Sequence, residues 1–183
     1  MDVSKLTFEE LIAMDREQCL EVFKACKAPD PQEMRGEFKG LVMDYMRDNF
    51  LNFSDDNKKW FGKGYLPEKL IDGWQGCGCN IYETKPPIWG ATRCLAFAWD
   101  IRESGVDGKP ALIMNYTFFD HISGKIGLID EVRKVKDGLF IGAYYTPKAT
   151  YPFTLEDGVA EFFTLRGPVR DWVGYTWVEK LAE

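Results

Sequence analysis

The sequence predicts a mainly β protein: a single antiparallel barrel of about eight to nine strands behind an N-terminal helical segment. Three observations point there. Between Ala111 and Thr146 the apolar segments ALIMNYTFFDHI, KIGLIDEVRKV and LFIGAYYT are separated by turn signals at Ser123-Gly124 and Lys136-Asp137-Gly138, which is the grammar of a meander. Strand-like segments continue on both sides of that stretch. Aromatic residues, 13 Phe, 8 Tyr and 6 Trp, make up 15% of the chain, and they favour strands and apolar pockets.

The helical segment comes first, over residues 7–30. Thr7-Phe8-Glu9-Glu10 has the spacing of a capping box, and Leu11, Ile12, Leu20, Val22 and Phe23 recur at helical periods. A break is expected near Met14-Asp15, and Pro29 and Pro31 end the helix. Such a helix covers either the mouth or the flank of a barrel.

The barrel is expected over residues 36–180, within one domain spanning residues 1–183. Strand-like stretches begin at Gly36 (GEFKGLVMDYM) and at Trp60 (WFGKGY), with a polar loop or short helix over residues 49–59 between them. CGCNIYETK and TRCLAFAWDIR follow, with a turn at residues 105–110. After the meander and a proline-bearing loop, GVAEFFTLR and DWVGYTWVEKL read as the last two strands.

Composition limits the partners. The formal charge is −6 and no Lys/Arg-rich run occurs, so nucleic acid and anionic membrane surfaces are not expected. No apolar run reaches the length of a membrane-spanning helix. Met1 to Cys26 lacks the pattern of a secretory signal, and five cysteines without framework spacing suit a reducing compartment. A cytoplasmic protein is expected. Cys77-Gly78-Cys79 has no second cysteine pair to complete a zinc site, and His121 is the only histidine.

Alternation along the strands assigns faces. Leu95, Phe97, Trp99 and Ile101 share one face, opposite Cys94, Ala96, Ala98 and Asp100. Leu112, Met114, Tyr116, Phe118 and Asp120 share another, opposite Ala111, Ile113, Asn115, Thr117, Phe119 and His121. Neither face is polar enough for water. The lumen would cover one, and the helix or a second copy of the chain (a homodimer) the other.

Candidate site residues follow from these faces. Asp130 lies among Ile126, Leu128, Val132 and Lys134, and a carboxylate on an apolar face needs a partner or a proton. Glu161 stands similarly among Val159, Phe163 and Leu165. His121, beside a turn, is the only side chain whose ordinary pKa suits proton transfer near neutrality. Tyr116, Asn115 and Tyr144 could orient a carbonyl or phenol, Trp99 and Phe97 could form walls, and Arg133 could anchor a polar head group.

The chain also resembles the GXWXG-motif family, small bacterial and fungal proteins with a lipocalin-like companion region of unknown function. The family's Gly-x-Trp-x-Gly segment corresponds to Gly36-Glu37-Phe38-Lys39-Gly40, and its Trp-[Tyr/Phe]-Gly-Lys element to Trp60-Phe61-Gly62-Lys63. The companion region is similar to Ile129-Asp130-Glu131-Val132-Arg133-Lys134-Val135, then Leu139 to Gly142, then Leu165-Arg166. Phe38 stands where the family has tryptophan, so no indole role carries over there. The resemblance implies a lipocalin-like barrel and brings no substrate or catalytic set with it.

Three functional readings remain open. No Walker loop, dinucleotide fingerprint or nucleophile elbow is present. The first is therefore a cofactor-independent lyase or isomerase, moving protons on a small hydrophobic, aromatic or phenolic molecule, with Asp130 or His121 as acid or base. The second is a carrier for a hydrophobic ligand. A haem-binding barrel with His121 as ligand is a third.

Overall fold

The computed structural model describes residues 2–46, 58–84, 90–146 and 160–174. Eight strands pair with their sequence neighbours, and the last pairs with the first, closing an antiparallel barrel. They are β1 (Gly36–Val42), β2 (Lys58–Leu66), β3 (Gly76–Thr84), β4 (Gly90–Glu103), β5 (Pro110–Asn115), β6 (Ile129–Lys136), β7 (Leu139–Tyr145) and β8 (Glu161–Arg170). The mainly β, lipocalin-like architecture expected from the alternation is what the chain forms. Closure leaves no edge strand to be covered.

Two short helices, α1 (Phe8–Ile12) and α2 (Arg16–Ala25), precede the barrel. Each starts with a capping box, Thr7 with Glu10 and Asp15 with Gln18. The second box explains the break at Met14-Asp15, because Asp15 turns its carboxylate to the backbone N–H of Gln18 and so begins a new helix. Leu11, Cys19, Val22 and Phe23 pack on Ile113, Ile141, Ala143 and Phe162 of β5, β7 and β8. The helices are therefore a flank and not a lid. They cover the outer face of that wall, which explains why both faces of β5 and β7 are apolar.

Three expected features fall differently. Tyr116 to Leu128 is a connection holding a one-turn helix, α3 (Ile122–Lys125), where the sequence suggested a strand and a tight Ser123-Gly124 turn. The expected strand faces hence stop at Asn115: Phe118 is half exposed and Asp120 exposed. The last expected strand, DWVGYTWVEKL, shows no strand over residues 171–174. Its remainder lies outside the described residues, as does most of the polar stretch 49–59.

Inside the barrel, large rings lie over glycines of the neighbouring strand. Gly76 and Gly78 of β3 face Trp99 and Phe97 of β4 in register, and Gly142 of β7 faces Phe163 of β8. A Cβ on Gly76, Gly78 or Gly142 would collide with the ring opposite, and one on Gly40 with the Trp60 indole. Glycine inside a strand marks such close approach. Here it lets an eight-stranded barrel hold rings that would otherwise overfill it.

Two bulges re-aim the side chains around this filling. On β2, Trp60 pairs with Tyr82 while Gly62 pairs with Ile81, so Phe61 is an extra residue. Gly62 takes φ +150° there, and a Cβ would strike the backbone of Phe38. The bulge turns Trp60 and Lys63, three residues apart, both into the lumen. On β4 the register slips opposite Gly78 and Asn80, and Leu95 takes φ 54°.

The barrel's two ends differ. At one end, where β1 begins and β2 ends, Met34, Phe38, Tyr65, Phe97, Trp99, Leu112, Phe140 and Leu165 are sealed from solvent and form one apolar cluster. Toward the other, Trp60, Tyr144 and Phe163 keep a little exposure, and Val42, Tyr82, Leu95 and Leu128 are only partly buried. Among the described residues this is the less tightly sealed end. No helix among the described residues is long and apolar enough to cross a membrane.

Candidate functional site

Asp130 and Lys63 form an ion pair inside the lumen, with Nζ 2.6 Å from Oδ2 and both side chains 4% exposed. β6 supplies the carboxylate and β2, through its bulge, the amine. The hydroxyl of Tyr116, just past the end of β5, donates to Asp130 Oδ2 at 2.7 Å and accepts from Lys63 Nζ at 2.8 Å. Asn80 of β3 completes the cluster. Its Oδ1 accepts from Lys63 Nζ (2.9 Å) and from the Trp60 indole N–H (3.1 Å), and its Nδ2 donates to the Tyr116 hydroxyl (3.1 Å).

Lys63 Nζ is surrounded by rings, 5.3 to 5.8 Å from the centres of Phe163, Phe97, Tyr116 and Trp60. Desolvation among them pulls the amine below the ordinary lysine range, and the Asp130 carboxylate pulls it back up. Burial is the larger effect. The Tyr116 hydroxyl is pushed well above the ordinary tyrosine range, by burial first and by the Asp130 charge second. Tyr65, whose hydroxyl touches Met114 Sδ at 3.3 Å, is raised by the same two causes.

Of the sequence-derived candidates, the lumen gathers Asp130, Tyr116, Phe97, Trp99 and Tyr144. Trp99 is anchored through its indole N–H to the Cys77 carbonyl (3.0 Å). Four candidates lie elsewhere. Arg133 is fully buried on the outer side of β6, where its guanidinium meets Asp107 (2.9 and 2.5 Å) and donates to the carbonyls of Phe23, Lys109 and Pro110. It cannot anchor a lumen ligand, because residues 130 and 133 have opposite parity and β6 keeps its period between them. His121 caps α3: Nδ1 accepts from the Gly124 N–H (3.2 Å) and Nε2 lies 2.9 Å from the Ala96 carbonyl, with the ring stacked on Phe119. Both nitrogens are occupied by backbone. Asn115 binds Thr117 through Oδ1, holding the turn after β5. Glu161 sits at the rim, bonded to Arg16 and Tyr45.

Lys63, Asn80 and Trp60 are the site residues that alternation alone did not pick out. Their signals were a lysine between two glycines in WFGKGY and an asparagine in the otherwise apolar GCGCNIY. Among the described residues no group of three or more His, Cys, Asp or Glu side chains could hold a metal ion.

No family model and no curated protein matches the chain. A crystal structure of a protein from Thermomonospora curvata is similar in fold, with a TM-score of 0.57 at 17% identity, covering 91% of this chain and 98% of that one. At that identity the likeness is one of fold.

Proposed function

We propose that the barrel takes a small apolar or phenolic molecule through its less tightly sealed end and moves a proton on it without a cofactor, as a lyase or isomerase does. The carrying observation is the buried Lys63–Asp130 pair, tied to Tyr116 and Asn80 beneath Trp60, Tyr144 and Phe163. An ion pair in an apolar core rarely adds stability over apolar residues of the same size. Perturbed acids and bases clustered in a cleft are instead the usual equipment of proton transfer. Asp130 is the base or acid, Tyr116 relays between it and the ligand, and Lys63 with Asn80 holds the charge that develops on an oxygen. Gly36-to-Gly40 and Trp60-to-Lys63, the segments that resemble the GXWXG-motif family, supply Gly40, Trp60 and Lys63. We accordingly read the chain as a divergent member of that family.

A carrier reading has one observation in its favour: every donor of Lys63 is already matched, by Asn80, Tyr116 and Asp130. Such a site holds a ligand on apolar contact alone. Incubation with a panel of phenolic acids and enolisable ketones separates the readings. Wild type should convert a member, and Asp130→Asn should abolish turnover while affinity stays within about tenfold, a difference of 1.4 kcal/mol. Binding with the ligand recovered unchanged would leave the carrier.

A further inference from the structure

We propose that Lys63 forms an imine with its ligand, so that the molecule handled in the lumen is an apolar aldehyde or ketone held covalently beside Asp130. The proposal rests on the lumen reading above and names its substrate class. Three observations carry it. Among the described residues Lys63 is the one buried lysine. Its Nζ is ringed by four aromatic groups, and such an aromatic lining gives an unsaturated or apolar carbonyl compound contact on every side. Beside it stand a carboxylate at 2.6 Å and a hydroxyl at 2.8 Å, the two groups that carbinolamine formation and dehydration need.

The atoms balance without an outside reagent. Asp130 takes one proton from the ammonium, and the freed lone pair forms the C–N bond as the carbonyl C–O double bond opens. Tyr116 passes protons from Asp130 to the oxygen. Two of the three ammonium protons leave with that oxygen as water when the C–O bond breaks. The product iminium carries the same single positive charge as the ammonium, so Asp130 keeps its counter-charge. That matters because an uncompensated charge in this lumen would be costly. An arginine would serve a purely structural pair as well, but only lysine can do this chemistry. Burial lowers the amine's affinity for its proton and so raises the reactive fraction near neutral pH. The iminium in turn acidifies the neighbouring C–H, which gives Asp130 a proton to move.

The test incubates the full chain with cinnamaldehyde and cyanoborohydride at pH 6, then maps the reduced adducts by peptide mass. Wild type should carry the adduct on Lys63 at a higher occupancy than on any exposed lysine. Lys63→Arg should lose that adduct and Asp130→Asn should slow it. Adducts confined to other lysines in wild type overturn the imine, and they decide the matter even if Lys63→Arg does not fold. Reversible cinnamaldehyde binding seen by tryptophan fluorescence, with no adduct on Lys63, sinks the imine and leaves the lumen reading. Failure of cinnamaldehyde and of the whole phenol and ketone panel to bind sinks both.

Discussion

Lys63 and Asp130 come from strands that are not neighbours in the barrel, and their 2.6 Å contact spans the lumen from β2 to β6. The two charges neutralise each other where water is nearly excluded. Removing one partner strands the other, while removing both does not. Lys63→Met or Asp130→Leu alone should therefore destabilise by about 3–5 kcal/mol, and the double variant should lie near wild type or above it. Urea unfolding of the four proteins checks this. A double variant as unstable as either single one would make the pair a fold requirement, removing the main reason to assign it a reaction.

The glycine seats make a second prediction. Gly142→Ala pushes a methyl group into the Phe163 ring, which packs against Trp60 (5.8 Å, edge-on) and Tyr144 (6.2 Å). Overpacking of this kind costs about 1–3 kcal/mol. A displaced Phe163 ring presses on Trp60 and Tyr144, so the variant should also alter tryptophan fluorescence and weaken ligand binding. Unchanged fluorescence and affinity would show that the ring does not border the ligand.

What the sequence made legible, and what it hid, follows from period. Where strands run without bulges, alternation put Phe97 with Trp99, Leu112 with Met114 and Tyr116, and Asp130 with Val132 on one face of their own segments, and these faces meet in the lumen. Lys63 escaped because Phe61 is an extra residue that resets parity between Trp60 and Lys63. Asn80 escaped because its identity as a site residue depends on the register of three strands. His121 looked catalytic for its residue type, but a strand-end histidine followed by Ile-Ser-Gly is equally a helix cap, and backbone geometry decides between the two. Arg133 required knowledge of where the β4–β5 turn places Asp107, a long-range relation that no local pattern carries.

Thiol burial predicts alkaline behaviour. Desolvation pushes Cys26 up to about 11 and Cys19 and Cys77 up to about 12, against an ordinary thiol near 8.5. The folded pKa lies above the unfolded one, so this contribution to stability is complete below the unfolded value and is lost as pH rises toward 11–12. Urea unfolding free energy should decline from pH 8 to pH 10, and Cys19→Ala with Cys77→Ala should flatten that decline. At pH 7.5 an alkylating reagent should reach the half-buried Cys94 before the four buried cysteines. Rapid labelling of Cys19 in native protein would show that the α2 flank opens.

Arg133 supplies the control that separates fold from site. Its guanidinium ties three backbone carbonyls and Asp107 together across α2, β6 and the β4–β5 turn. Arg133→Met should cost about 3–5 kcal/mol, because Asp107 and the carbonyls lose their donors. Lysine at that position should restore only part, lacking the planar fork. The Arg133 hydrogen bonds hold the Asp107 carboxyl below the ordinary aspartate range. Its stabilisation is therefore present above about pH 3.9 and is lost as pH falls through the lower folded value, so Arg133→Met should flatten the acid limb of the stability profile. Ligand affinity, and trapping at Lys63, should not change in the folded fraction, because Arg133 lies on the far side of the β6 wall from the lumen. Equal loss of binding in Arg133→Met and Lys63→Met would mean that the ligand sits outside the barrel, between α2 and β6, and the lumen site would have to be abandoned.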